Sequence, residues 1–273
     1  MARMIFGTDN NVVFDPGPHT YTNSDGREFR SVSRILNSIE IPFDAQAVSL
    51  AMSKGDKRRQ AQLLAEWKKK GQDSLDKGNF IHDNLEEYHK LGTCDEKLKD
   101  VVEQIKPLYS KYYRVYSEVM LSDQEYAVAG QTDLVVQRQR SDKSLFDFYD
   151  YKTNQSKGIE FDSIRRKKDP WQHYNKFFLP PLDHLEDCNY TRYSLQLSIY
   201  AYLAQRQYGI NIGRLALIFI DNDLQVQIHP VAYLRFEAEA LLRQTSEALK
   251  SLPGTGMPGA EYDKQRQEDN QDW

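Results

Sequence analysis

A chain of 273 residues with 40% hydrophobic and 28% charged residues has the length for one large domain and the apolar content for an ordinary core. Its two cysteines, Cys94 and Cys188, exclude a disulfide framework, a four-cysteine zinc site and an iron–sulfur cluster. A net charge of −4 argues against a protein that coats nucleic acid, and no run of about 18 apolar residues is present to span a membrane. The opening "MARMIFGTDNNVVFD" has no signal-peptide apolar region, so a cytoplasmic location is expected.

In chain order, "VVFDPGPHTYTNSDGREFRSVSRIL" predicts a short extended segment, a turn at Ser24-Asp25-Gly26 and a helix capped near Ser31 or Ser33. A long helix follows from about Asp56 to Leu91, with Leu64, Trp67, Gly71, Leu75, Gly78, His82, Leu85 and His89 at helical spacing. A second helix runs through "CDEKLKDVVEQIKPLYSKYY" and is broken or kinked at Pro107. Three strands, "VYSEVML", "YAVAGQTDLVVQ" and "LFDFYDYK", are joined by short polar links, which favours an antiparallel meander. After Asn154 comes a basic and aromatic insertion, then a helix at "YSLQLSIYAYLAQRQYG", strands at "RLALIFI" and "QVQIHPV", and a last helix from about Tyr233 to Lys250. The expected organisation is a single domain over 1–252, mainly helical over 1–115, with an αβ core over 116–250 that carries an insertion at 156–188. Residues 253–273 have the Gly, Pro and polar content of a disordered tail.

Charge is unevenly placed. "KGDKRRQAQLLAEWKKK", residues 54 to 70, carries seven basic and two acidic residues, and Arg165, Arg166, Lys167 and Lys168 are consecutive. Such runs are most often solvated faces, yet they can also neutralise phosphates.

Within "LFDFYDYK" a period of two places Phe146, Phe148, Asp150 and Lys152 on one strand face and Asp147, Tyr149 and Tyr151 on the other. An acid and a lysine at the end of an apolar face lose stability through desolvation unless they pair or bind something. A plain salt bridge would answer that alone. In a meander, however, Asp133 of "AGQTDLVV" comes beside Asp150, with Gly130 allowing close backbone approach. Two adjacent carboxylates and a lysine suit a hard divalent cation and a phosphate. His82 stands one helical turn after Gly78, whose missing side chain would let the sheet edge approach, and Gln196 and Tyr200 share a helix face four residues apart.

Taken in order, "KGNFIH", "AGQTD", "DYK" and "QLSIY" resemble the motifs of the RecB-like branch of the PD-(D/E)XK nuclease superfamily. The likeness extends over roughly residues 18 to 250 to phage-encoded exonucleases and the mitochondrial genome maintenance exonuclease. It implies a restriction-endonuclease-like α/β fold, with a central mixed sheet flanked by helices and a helical N-terminal elaboration. It also implies a metal-dependent, phage-encoded DNA exonuclease acting in replication, recombination or DNA degradation, in the host cytoplasm. His82, Asp133, Asp150 and the Tyr151 carbonyl would hold one or two Mg²⁺ or Mn²⁺ ions, with Glu118 serving a second. Lys152 would position the attacking water or stabilise charge on the phosphate, with Gln196 and Tyr200 orienting it. Ser33, Arg34, Arg165, Arg166, Lys167, Lys168 and Trp171 would contact DNA with single-stranded character or a free end; the rings of Trp171, Tyr174, Phe177 and Phe178 either stack on bases or fill a core under a solvated loop, the two phenylalanines having more claim to the core than Trp171. A replication or recombination protein could engage the tail. The alternatives are a structure-specific endonuclease or resolvase, and a non-catalytic nucleic-acid-binding protein on the same fold.

Overall fold

A computed structural model describes residues 6, 12–15, 17, 20–141, 143–153, 158–161, 165–166, 173–174 and 176–250, with backbone alone at 165–166, 173–174 and 248–250. The chain begins with three short strands, β1 (Val12–Asp15), β2 (Thr20–Asn23) and β3 (Glu28–Ser31), where the sequence predicts one extended segment. The second and third are joined by a turn in which Asn23 Oδ1 accepts the N–H groups of Asp25 and Arg27, at 3.1 and 2.8 Å. Helices α1 (Val32–Asn37), α2 (Ala45–Met52) and α3 (Lys57–Leu91) follow. Ser31, not Ser33, caps α1, accepting from the Arg34 N–H. Asp56 caps α3 by accepting from Arg58 and Arg59, and Gly92 closes it in the left-handed conformation at φ 78°. Helix α4 (Lys99–Ile105) passes into a 3₁₀ turn containing Pro107, since proline cannot supply the next helical N–H.

The meander is β4 (Arg114–Asp123), β5 (Val128–Gln137) and β6 (Leu145–Lys152). Two-residue strands β7 (Arg165–Arg166) and β8 (His173–Tyr174) pair with each other in the insertion. The chain ends with α5 (Asn189–Tyr208), β9 (Asn211–Ile220), β10 (Val226–Val231) and α6 (Arg235–Lys250). Residues 253–273 lie outside the described residues.

The result is an α/β fold with a mixed eight-stranded sheet flanked by helices. β4–β5, β5–β6 and β9–β10 are antiparallel, while β6–β9 and β3–β5 are parallel. The N-terminal part is therefore not helical alone, because β3 joins the main sheet through β5. One sheet face packs on α1, α5 and α6, with Phe146, Phe148, Leu195, Ile199 and Leu242 in its core. The other packs on α3 and α4 through Ile81, Leu85, Val102, Tyr149 and Tyr151. The strand parity expected for β6 is thus observed. Among the described residues no helix is long and apolar enough to cross a membrane.

Two irregularities of the sheet set the surroundings of its acidic residues. On one edge of β5, β3 pairs at Val128 and Ala129 and β6 pairs from Leu134 to Gln137, so Gly130 to Asp133 fall between the two partners. Directly across on β4, Glu118 has a left-handed backbone at φ 49°, unusual for a residue with a side chain. The face alternation changes phase there. Val128 joins the α5 side before this point and odd-numbered Val135 after it, as Val119 and Leu121 do in β4 against even-numbered Tyr116.

The second irregularity is a register shift between β6 and β9 at Phe146 to Phe148. Asp147 is fully buried there, takes two Arg138 donors at 2.8 to 3.0 Å and accepts the Arg214 N–H at 2.7 Å. Gly213 leaves it room, since a Cβ at that position would overlap Asp147 Oδ1.

Candidate metal and phosphate site

Asp133 sits at the gap in the edge of β5. After Tyr149 the β5–β6 ladder ends, and the Asp133 carboxylate takes over: its Oδ2 accepts the Tyr151 N–H at 2.6 Å. A side chain thereby satisfies a backbone donor that strand pairing has released. Helix α3 brings His82 to the same carboxylate, with Nδ1 3.5 Å from Oδ1. Buried Ile81 and Leu85 on the adjoining face set the rotation that points the imidazole there. Gly78 comes close to the sheet edge as expected, but a Cβ there would meet Thr153 Oγ1 at 3.4 Å, an ordinary contact.

Ligand atoms of His82, Glu118 and Asp133 lie within 4.8 Å of one another. One imidazole nitrogen and carboxylate oxygens are donors that Mg²⁺ and Mn²⁺ accept, so the group fits the expected cation. Burial and the Asp133 charge push the Glu118 carboxyl up to about 8. Burial pulls His82 down, but Asp133 and Asp150 outweigh it and hold the imidazolium up to about 9. Burial likewise acts to raise Asp133, while His82, Lys152 and the Tyr151 N–H bring it below the usual range.

Asp150 lies outside that group. It pairs with the Lys152 ammonium, the two side chains pointing the same way as the strand parity requires. Burial, with Asp133 nearby, raises Asp150 to about 6 against the pull of Lys152. Burial would lower Lys152, but Asp150 and Asp133 more than offset it and keep the ammonium charged. Asp133 and Asp150 are thus each compensated within the chain: His82 and a backbone N–H serve the first, and Lys152 serves the second.

Helix α5 completes the arrangement. Lys152 Nζ donates to Gln196 Oε1 at 3.2 Å, and Gln196 Nε2 donates to the Tyr200 hydroxyl at 3.3 Å. Tyr200 is buried and packs where β5 has no side chain: a Cβ on Gly130 would stand 2.8 Å from Tyr200 Cε1 and 3.0 Å from Val32 Cγ2. We therefore expect Gly130→Ala to displace Tyr200 and cost about 1–3 kcal/mol by overpacking. A melting temperature equal to wild type would show that the ring has slack.

Two contributors are not apparent from the motifs. Tyr193 places its ring 4.6 Å under the Lys152 ammonium, and it stands one turn before Gln196 on α5. His89 Nε2 lies 3.1 Å from the Tyr151 hydroxyl, and burial pulls its imidazole down to about 4, so it is neutral. Its position two turns beyond His82 on one helix face is the signal the sequence offers for it.

The expected DNA contacts are less concentrated. Ser33 is exposed on α1, and Arg34 pairs with Glu28 at 3.2 Å. Arg165 and Arg166 form β7, with their side chains outside the described residues, as are Lys167, Lys168 and Trp171 altogether. Phe178 is buried, and Phe177 is 43% exposed. In extended backbone neighbouring side chains point to opposite sides, which separates the two rings.

No protein-family model matches the chain, and no curated protein matches it. Among solved structures, one described as "Crystal structure of SSO0001" is similar over 82% of this chain and 77% of that chain, at 15% identity and a TM-score of 0.35.

Proposed function

We propose that this chain is a metal-dependent DNA exonuclease of the PD-(D/E)XK type, phage-encoded, that hydrolyses phosphodiester bonds from DNA ends. One observation supports the reading above all. Residues far apart in sequence, His82, Glu118 and Asp133, bring together ligand atoms that could hold a cation, next to a buried lysine held by Asp150 and Gln196. A bound Mg²⁺ or Mn²⁺ would polarise a phosphoryl oxygen and acidify a water. The chain's own residues do the rest. Asp133 is held in place by the Tyr151 N–H. Lys152, fixed by Asp150, Gln196 and the Tyr193 ring, supplies a positive charge to a phosphate. Tyr200 holds Gln196 from behind.

Linear and covalently closed DNA, each incubated with Mg²⁺ and with EDTA, test the proposal. Mg²⁺-dependent loss of linear DNA alone is expected. Nicking of closed circles would favour an endonuclease or resolvase, and binding without cleavage would favour the non-catalytic alternative.

Cation binding carries its own prediction. Ligation requires His82 and Glu118 without their protons, so affinity should rise with pH through about 8 and about 9. The protein without cation should behave oppositely. Both groups have folded-state values above their ordinary ones, so their protons favour the folded state. For His82 the contribution is complete below about 6.5 and is lost as pH rises through about 9; for Glu118 stability declines between about 4.5 and about 8. Cation at 100 times its dissociation constant adds about 2.7 kcal/mol. Melts in Mn²⁺ at several pH values read both trends, and the Asp133→Asn, Asp150→Asn double variant should abolish the Mn²⁺ shift. A cation response flat in pH would count against this ligand set.

A further inference from the structure

α3 carries more helix than the core uses. Its buried residues are Leu63, Ile81 and Leu85, so just one of them serves the helix before residue 80. With 3.6 residues per turn, Leu63, Lys77, Ile81 and Leu85 fall on one side of the helix. Lys77 confirms that this side faces the body, donating to the Asp221 carbonyl at 3.0 Å and to Asn222 Oδ1 at 2.8 Å. The line through His82 is different. Lys57, Gln60, Leu64, Lys68, Gly71, Leu75 and Gly78 lie within about 40° of His82 around the axis, and Gln60 donates to Gln46 Oε1 and Ser49 Oγ of α2. Lys57 and Lys68 on this line are exposed, and Leu75 is 56% exposed.

The acids are sorted on the same wheel, while basic residues stand on several faces, Arg58, Arg59, Lys69 and Lys70 lying about 120–140° from His82. The acids of α3 ahead of His82 are Glu66, Asp73 and Asp76, and each lies about 120° or more from it. Glu66 pairs with Arg59 at 3.4 Å, and Asp76 accepts from Gln72 at 2.7 Å. The line leading to His82 thus carries lysines, one glutamine and small or apolar residues and no carboxylate, in a chain whose net charge is −4. We propose that this line of α3 is a track for the backbone of a DNA substrate, entering at the N-terminal end of the helix and delivered to His82. The inference rests on the reading of the site as one for DNA. Polyanion complementarity and continuity with the site select the occupant.

The track has a length. At 1.5 Å per residue, Lys68 stands about 21 Å and Lys57 about 37 Å from His82. With a phosphate every 3.4 Å along each strand of duplex, those distances correspond to about 6 and about 11 base pairs.

The test uses the full chain in EDTA with end-labelled duplexes of about 6, about 12 and about 20 base pairs, read by fluorescence anisotropy at several salt concentrations. Wild type should gain affinity as duplexes lengthen to about 12 base pairs. The Lys57→Gln, Lys68→Gln variant should lose that gain, with its log affinity against log salt shallower by about 1.8. The Arg58→Gln, Lys69→Gln variant removes the same charge about 120–140° around the helix and should keep the gain. Equal losses in both variants, or none in the first, would overturn the track. So would polyglutamate competing through Lys57 and Lys68 as strongly as DNA does, since that would mark a surface for acidic polypeptide. If wild type hydrolyses linear DNA in Mg²⁺ while the two variants bind alike, the track fails and the nuclease reading stands. If only the first variant loses the length gain and wild type never hydrolyses DNA, the reverse holds.

Discussion

Replacing Lys152 with alanine should lower the single-turnover rate of DNA hydrolysis by about 10²–10³, equivalent to roughly 2.7–4 kcal/mol of lost stabilisation of developing charge. The ammonium is built to remain charged in a buried place. Asp150 pairs with it, Gln196 accepts from it, and the Tyr193 ring lies beneath it. Since Lys152 is not among His82, Glu118 and Asp133, the variant should still bind Mn²⁺. It does leave Asp150 buried without its partner, which raises that carboxyl further and favours its neutral form. A purely structural salt bridge would show the opposite pattern: a lower melting temperature with full activity in whatever remains folded. Measuring melting temperature, Mn²⁺ affinity and single-turnover rate on the same preparation separates the two. A Lys152→Ala protein that cleaves at the wild-type rate would remove the site from the chemistry.

Asp147, the other acid of β6, should behave in the reverse manner. Asp147→Ala is expected to destabilise the fold by about 3 kcal/mol, the lower end for breaking a buried ion pair because the Arg138 side chain is 25% exposed. The loss has two parts. Arg138 is left without its carboxylate, and the Arg214 N–H loses its acceptor at the register shift of β9. For a protein of this size the melting temperature should fall by roughly 6–12 °C. Activity per folded molecule should be retained, because Asp147 faces away from Asp150 and touches none of His82, Glu118 and Asp133. Far-ultraviolet circular dichroism melts and active-site titration measure the two quantities. An Asp147→Ala protein with unchanged melting temperature, or one that stays folded and loses Mn²⁺ binding, would break the assignment.

The same strand shows what can be read from sequence and what cannot. Period-two alternation in "LFDFYDYK" places Asp150 and Lys152 together and Asp147 opposite, and the structure agrees. Periodicity says nothing of Arg138 or of the β9 register shift, because those partners depend on which strands become neighbours. Sequence alone therefore gives Asp147 no role, whereas in the fold it is a fully buried anchor. The long helix is legible from Asp56 onward because its cap and its closing Gly92 are local signals. The strands β1 to β3 are legible only as one extended segment, since each has four residues and their pairing with β5 is non-local. His82, Asp133, Asp150, Lys152, Gln196 and Tyr200 stand out as motifs. The division of labour among them requires geometry: Asp150 serves the lysine, while Glu118 joins His82 and Asp133.

Glu118 bears on how the chain can vary. Its left-handed backbone favours glycine, asparagine or aspartate, and its carboxyl is buried enough to be pushed up to about 8. Both properties mean that folding alone would gain from losing this glutamate, with about 1–2 kcal/mol attached to the backbone conformation. Under the proposed function residue 118 holds a cation, and selection for that ligand would pull against selection for stability. A lineage released from the need for the ligand would be free to drift toward glycine or asparagine at residue 118 and would become more stable as it did so. Under the proposed function, the glutamate is a place where the fold would give up robustness in return for a cation ligand.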